Sequence, residues 1–141
     1  EICTDLAPLA EKRNITLECS GDAAMVGSDA LIYRLLFNLT ENAIKYNRPG
    51  GTVKAIATQT ETEVFIRVSD TGCGIQPEFQ RSIFQPFFRV DKSRSRQYGG
   101  AGLGLSLVWE IANLHAGRVW VEESSEKGTT MAVQLPVGKK E

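Results

Sequence analysis

The stretch that most limits the architecture is "ALIYRLLFNLTENAIKYN", residues 30–47, the longest helical pattern in the chain. Leu31, Leu35, Leu39 and Ala43 recur every four residues and predict an apolar stripe along one side. Asp29 stands where an N-cap belongs, and "NRPGG" stops the pattern. Such a stripe must be covered, and the flanking segments supply a sheet to cover it. "TVKAIATQT" and "EVFIRVSD" alternate about a polar turn at Glu61–Glu63 and predict an antiparallel hairpin, and "RVWVEESS" and "GTTMAVQLP" around "EKG" predict a second. "NITLECSG" reads as a strand through Ile15, Leu17 and Cys19, and "AAMVG" as another short one. Ile2, Leu6, Leu9 and Ala10 predict a first helix that Pro8 should kink or limit. "PEFQRSIF" reads as a short helix opening at Pro77, and "LGLSLVWEIANLHAG" as a second core helix ended by Gly117. Trp109 and Trp120 are expected in the core. The fold class is therefore α+β: a two-layer sandwich with a mixed sheet of about five or more strands, covered on one face by three helices.

Composition narrows the function classes more than it names one. With 141 residues the chain is expected to be one domain, 1–141. A net charge of -1 and 42% apolar residues give no basic footprint for nucleic acid and no membrane-surface patch. No apolar run is long enough to span a bilayer. Cys3, Cys19 and Cys73 are widely spaced, without a CxxC pair, and fit reduced thiols of a cytosolic protein better than a disulfide frame or a zinc site. The opening "EICTDLAPLAEKR" lacks an initiator methionine and reads as a helix already under way, so the domain is expected to be excised from a longer chain.

The glycine-rich "QYGGAGLGLSL" raises the question of phosphate binding without answering it. No GxGxxG spacing is present, and a long loop rather than a strand leads into it. Gly99 and Gly104 have Walker spacing, but Leu105 stands where the lysine belongs. The alternative is a helix entry where glycines permit tight packing. Residues 85–102 lack periodicity and carry Arg89, Lys92, Arg94 and Arg96; a loop that long inside a compact domain is usually functional or mobile. Two other stretches carry more. "NLTENAIKY" puts Asn38, Asn42 and Lys45 on one helical face, with Glu41 at its edge. "SDTGCGI" puts Asp70 at the end of an apolar strand, with Gly72 and Gly74 just beyond, although a plain strand-end turn also favours those residues.

Taken in order, NxxxNxxKY, DxGxG and GGxGLGL, with "GTT" at 128–130 behind them, closely resemble the catalytic ATP-binding domain of bacterial sensor histidine kinases. That domain shares a superfamily and the Bergerat-type fold with gyrase B, heat-shock chaperone and mismatch-repair ATPases. The resemblance covers nearly the whole chain, including "FQPFFRVDKSRS", which looks like the family's phenylalanine box.

The resemblance implies a division of labour. Asp70 would accept a hydrogen bond from the adenine amine, with Gly72 and Gly74 giving the purine room and Thr129 supporting the contact. Ile75, Phe84 and Leu103 would wall the base, although core packing explains them equally. Asn42 would ligate Mg²⁺, Lys45 would reach a phosphate with Tyr46 beside it, and Arg89 would pair with the γ-phosphate or stay a solvated lid charge. Gly100, Gly102 and Gly104 would open a helix N-terminus onto the phosphates, under a lid at 85–102. Asn38 takes the place of the glutamate that activates water in hydrolytic members; an amide is no base at neutral pH, so the site should hold ATP for transfer. Glu41 keeps a slow ATPase open as a reading.

His115, the single histidine, lacks the acidic neighbour and downstream proline of a phosphoacceptor helix and reads as structural. The acceptor would sit on a separate dimeric phosphoacceptor domain, through which the parent would form a homodimer and pass phosphate to a response regulator. Nucleic acid and direct membrane contact are not expected. The domain would be cytoplasmic, in a parent that the inner membrane can anchor. Cys73 reads as an ordinary buried thiol. Competing readings are a nucleotide-sensing module without phosphotransfer, and a slow ATPase of the same superfamily.

Overall fold

The structure is a computed structural model that describes residues 2–21, 30–72, 74–75, 80, 82–84 and 104–136. In chain order the elements are α1 (Ile2–Lys12), β1 (Thr16–Gly21), α2 (Ala30–Lys45), β2 (Thr52–Gln59), β3 (Glu63–Asp70), a 3-10 turn (Ser82–Phe84), α3 (Gly104–Leu114), β4 (Arg118–Ser125) and β5 (Gly128–Pro136). The five strands form one mixed sheet in the order β1-β2-β3-β5-β4. Only the β1–β2 pair is parallel, and the two expected hairpins are present. The expected strand "AAMVG", the Asp29 cap and the start of "PEFQRSIF" lie outside the described residues.

Strand alternation decides which face is covered. Val53, Ala55 and Ala57 of β2, Val64, Ile66 and Val68 of β3, and Met131, Val133 and Leu135 of β5 are buried. In register, Val64 faces Leu135, Ile66 faces Val133 and Val68 faces Met131, so the inward positions form continuous rows across the sheet. The helices pack on these rows through Ile2, Leu6 and Ala10 of α1, Leu35, Leu36, Leu39 and Ile44 of α2, and Val108 and Ile111 of α3. The other face is open: Phe65 and Trp120 meet edge-on at 6.2 Å, with Arg67 over Phe65, Arg118 over Trp120, and an Arg67–Glu122 ion pair at 2.8 Å.

Several sequence expectations need correction. Leu31 is 47% exposed; Ile32 and Leu36 take up the buried stripe beside Leu35. Steps of four residues drift by about 40° each, so three steps swing Leu31 roughly 120° from Ala43. Pro8 does not end α1, which continues to Lys12 with the proline on its exposed side. Trp109 is 44% exposed and stacks on Phe84 at 5.5 Å, and Trp120 lies half-buried on the open sheet face, so neither is a core residue. Helix α3 ends on a left-handed Ala116 (φ 58°) rather than on a left-handed glycine. Bonds from Gly117 N–H to the Ala112 carbonyl (2.8 Å) and from Ala116 N–H to Asn113 (3.0 Å) complete its cap. Asn14 (φ 59°) ends α1 in the same way.

The largest correction concerns the thiols. Cys3 and Cys19 form a disulfide between α1 and β1, with Cα atoms 6.2 Å apart. The expectation of reduced thiols therefore fails for this pair: the helix turns back on the strand that follows it, and a 16-residue separation in sequence becomes direct contact. Cys73 lies outside the described residues.

Candidate functional site

The site grows from the register of the sheet. Residues 64, 66 and 68 of β3 point into the core, and the next position on that face is Asp70, paired with Val53 on one side and Thr129 on the other. A carboxylate thus occupies the last inward position of a core strand. Its Oδ1 accepts hydrogen bonds from the Gly72 N–H (2.8 Å) and the Thr129 N–H (3.3 Å). Burial pushes the Asp70 carboxyl above its ordinary pKa, and the two N–H donors pull in the opposite direction without cancelling it. No hydrogen bond from the described residues reaches Oδ2. One oxygen is anchored and the other is available to a donor.

The chain beyond Asp70 is held from two sides. Gly74 is left-handed (φ 83°), and a Cβ there would meet the Ser125 carbonyl at 2.0 Å, so the loop lies directly on the end of β4. The next residue, Ile75, donates its N–H to Ser124 Oγ at 2.7 Å, and that hydroxyl is 2.9 Å from Thr129 Oγ1. On the other side Gly72 packs against the Tyr46 carbonyl, where a Cβ would come within 2.9 Å. Gly128 (φ 144°) lies so close to the Asp70 carbonyl that a Cβ would approach within 1.9 Å.

Two contributors escaped the sequence reading. Ser124 reaches the site because β4 slips register between Val121 and Glu123. Val121 pairs with Met131, and unbroken pairing would set Glu123 opposite Thr129; the irregularity puts Ser124 there instead. A hydroxyl replaces what would be a second carboxylate beside Asp70. Asn47, nearly buried, ties the end of α2 to the strands: its amide donates to the Thr52 carbonyl (3.0 Å), and its Oδ1 accepts from the Arg48 N–H (2.7 Å) and the Thr71 hydroxyl (3.2 Å). The "KYN" end of the helical motif was the available signal, but its third residue reads as a helix stop.

The structure brings Asp70, Gly72, Gly74, Ile75 and Thr129 together, with the Tyr46 backbone against Gly72 while its side chain is exposed. Asn38, Asn42 and Lys45 follow one another along α2; Asn38 is buried at 8% exposure, and Asn42 is half-buried. Lys45 Nζ lies 4.0 Å from the Glu41 carboxylate one turn earlier. No hydrogen bond among the described residues joins these side chains to the Asp70 cluster. Gly104 opens α3 as expected, and Phe84 is buried against Trp109. Arg89, Gly100, Gly102 and Leu103, and with them the expected lid, lie outside the described residues. Among the described residues no cluster of three His, Cys, Asp or Glu side chains could hold a metal ion. His115 sets Nδ1 2.9 Å from the Ile111 carbonyl at the end of α3.

Residues 27–139 match the family model of histidine kinase-, DNA gyrase B- and HSP90-like ATPases. The chain belongs to this family. This ATPase-family domain is 42% identical over 118 residues to the sensor histidine kinase RppB of Synechocystis, covering 84% of the chain and 26% of that protein. It is 39% identical over 107 residues to the sensor histidine kinase WalK of Bacillus subtilis, covering 74% of the chain and 18% of that protein. The chain thus spans about a quarter, or less, of the length of these relatives. Among solved structures it resembles a mycobacterial sensor histidine kinase, MprB (27% identity, TM-score 0.75, 96% of this chain and 92% of that one). The nucleotide-free catalytic domain of histidine kinase ThkA is similar too (26%, TM-score 0.76, 96% and 87%). So is ThkA in complex with the response regulator protein TrrA (26%, TM-score 0.71, 99% and 38%). The expected five-stranded sheet with three helices on one face is the fold of this domain, and its ligand class is ATP. Among the described residues no helix is long and apolar enough to cross a membrane.

Proposed function

We propose that this domain binds Mg-ATP and donates its γ-phosphate to a histidine on a separate dimeric phosphoacceptor domain of the same parent, which then serves a response regulator. The observation that carries the reading is Asp70: a desolvated carboxylate at the end of a core strand, with Oδ1 anchored by two backbone N–H groups and Oδ2 left for a donor. An adenine amine is such a donor. A 6-oxo purine would set an acceptor against the carboxylate and leave both groups unpaired, at a cost of about 1–3 kcal/mol or more. Ile75 and Thr129 stand beside it, in place to flank the base and support the contact.

The phosphate end falls to α2 and to the start of α3. Asn42, half-buried on α2, offers a neutral amide oxygen that fits a Mg²⁺ taking its other ligands from phosphate and water. Bound there, the ion would supply charge neutralisation at the phosphates. Lys45, whose Nζ lies 4.0 Å from the Glu41 carboxylate, can turn to a phosphate, and Tyr46 exposes its ring beside it. Gly104, with Gly100, Gly102 and Leu103 before it, would present backbone amides at the entry of α3, and Arg89 would meet the γ-phosphate. Asn38, a buried amide on α2, offers no base to activate water, which favours transfer over hydrolysis. The likeness to sensor kinases and to a regulator-bound ThkA supports the partner assignment. The domain would work on the cytoplasmic side of a parent kinase that the inner membrane can anchor.

The test mixes this chain with the histidine-bearing domain of its parent and γ-labelled ATP. Acid-labile label on the partner, lost with Asn42→Ala, is the expected result. Intact ATP binding without transfer would leave a nucleotide-sensing module.

A further inference from the structure

We propose that the Cys3–Cys19 bridge is a reversible thiol–disulfide exchange site that pins the first half of α1 to β1 when oxidised and leaves it more loosely held when reduced. Three observations carry this. The bridge is reachable: both cysteines are half-buried rather than buried, and Cys3 lines an open groove of about 360 Å³ with Ala7, Glu11, Asn14 and Thr16. It is also dispensable to the core. Small domains depend on disulfides where a core is lacking, whereas here Ile2, Leu6 and Ala10 join a hydrophobic cluster that runs through all three helices and the sheet. Finally, it acts at a margin: among the described strands β1 pairs only with β2, so the bridge fastens a helix to an edge strand.

What remains after reduction defines the second state. The C-terminal end of α1 stays tied, because Arg13 donates to the Lys45 carbonyl (3.5 Å) and Gly50 N–H donates to the Asn14 carbonyl (2.8 Å). Near the other end, Tyr33 donates a hydrogen bond to Asp5, and Ile2 and Leu6 keep their apolar contacts. Reduction therefore loosens one end of one helix and leaves the domain folded, which is the condition for a reversible site.

The chemistry needs a dithiol reductant. Its thiolate attacks one bridge sulfur, the Cys3–Cys19 S–S bond breaks, and a mixed disulfide forms. The second thiol of the reductant then attacks that mixed disulfide and leaves as part of a cyclic or paired disulfide. Two electrons and two protons pass to the protein, which holds Cys3 and Cys19 as thiols. An oxidised dithiol of the same class reverses each step.

The test equilibrates this chain in mixtures of reduced and oxidised dithiothreitol, traps free thiols by alkylation, and reads the Cys3 and Cys19 peptides by mass. The expected result is that both become alkylated together along one two-electron curve while circular dichroism stays that of the folded chain, and that reoxidation restores the bridge. Alkylation of one cysteine alone, or of both only after denaturant unfolds the chain, would overturn the proposal. Reduction should also lower Tm by about 5–10 °C. It should raise hydrogen exchange at residues 2–12 and 16–21, with ATP affinity unchanged. The double variant Cys3→Ser/Cys19→Ser should show the reduced exchange pattern in every buffer. Continued redox dependence at those residues in that variant would also contradict the account. Failure of ATP binding would bear on the nucleotide reading and leave these thiol measurements intact.

Discussion

The two faces of the sheet use polar residues in opposite ways. On the open face Arg67 makes a two-pronged contact with Glu122, and Arg118 shares Gln134 while lying over Trp120, all at exposed or half-exposed positions. On the inward face, at the end of the same strands, Asp70, Thr129 and Ser124 are drawn out of water and held mostly by backbone groups. Charged pairs in solvent contribute little because water screens them, whereas a desolvated carboxylate with fixed donors discriminates strongly. The open face is polar because it is wet. In the proposed reading, the inward end is polar because a ligand is recognised there.

That contrast can be broken most directly at Asp70. Asp70→Asn should weaken ATP binding by about 100-fold, because an amide would aim a donor at the adenine amine. The same variant should leave the ligand-free domain at least as stable, since it removes a carboxylate that burial disfavours. The sign follows from linkage. With its folded pKa raised, Asp70 holds more proton in the folded than in the unfolded chain between the ordinary and the raised value. Its contribution to stability is present below that window, falls as pH rises through it and is flat above. Denaturation series across the acid range should therefore show a falling increment in the wild type that Asp70→Asn lacks.

Gly74→Ala comes next, with a left-handed φ and a backbone carbonyl at 2.0 Å from the new Cβ. It should cost about 2–3 kcal/mol in thermal or denaturant unfolding, or displace the loop and lower ATP affinity by a comparable factor. Ser124→Ala strands the Ile75 N–H and removes the Thr129 partner. Calorimetry should show ATP affinity down about fivefold, with Ser124→Thr restoring part of it. The smallest effect belongs to the open face. Glu122→Gln removes one partner of a solvent-screened pair and should leave both stability and ATP binding nearly unchanged. A large loss there would erase the distinction between the faces.

How much of this was legible follows from the kind of signal each feature leaves. Period-two alternation in β2, β3 and β5 exposes the inward rows, so the hairpins and the place of Asp70 at a strand end were readable. Asp70 and the "GTT" stretch each fit an ordinary strand-end turn, and they pointed to a site only through their order with NxxxNxxKY and GGxGLGL. The register slip in β4 leaves no residue signature, so Ser124 and Glu123 could not be told apart. The Cys3–Cys19 bridge depends on how α1 turns back on β1, and a single pair at unremarkable spacing does not reveal that. Leu31 fell off the stripe because a strict four-residue repeat drifts around a helix. Asn47 looked like a helix stop, and its three side-chain hydrogen bonds arise only once the strands assemble around it.

In the proposed site Asp70 Oδ2, which accepts no hydrogen bond from the described residues, receives the amine of adenine. Calorimetric titration of ATP and inosine triphosphate against the wild type and Asp70→Asn measures that alone, since the two nucleotides differ at the 6-position and share every phosphate. The wild type should prefer ATP, at a micromolar-scale Kd of roughly 1–100 μM. Asp70→Asn should lose that preference through weaker ATP binding. Equal affinities in the wild type, or an unchanged preference in the variant, would contradict it.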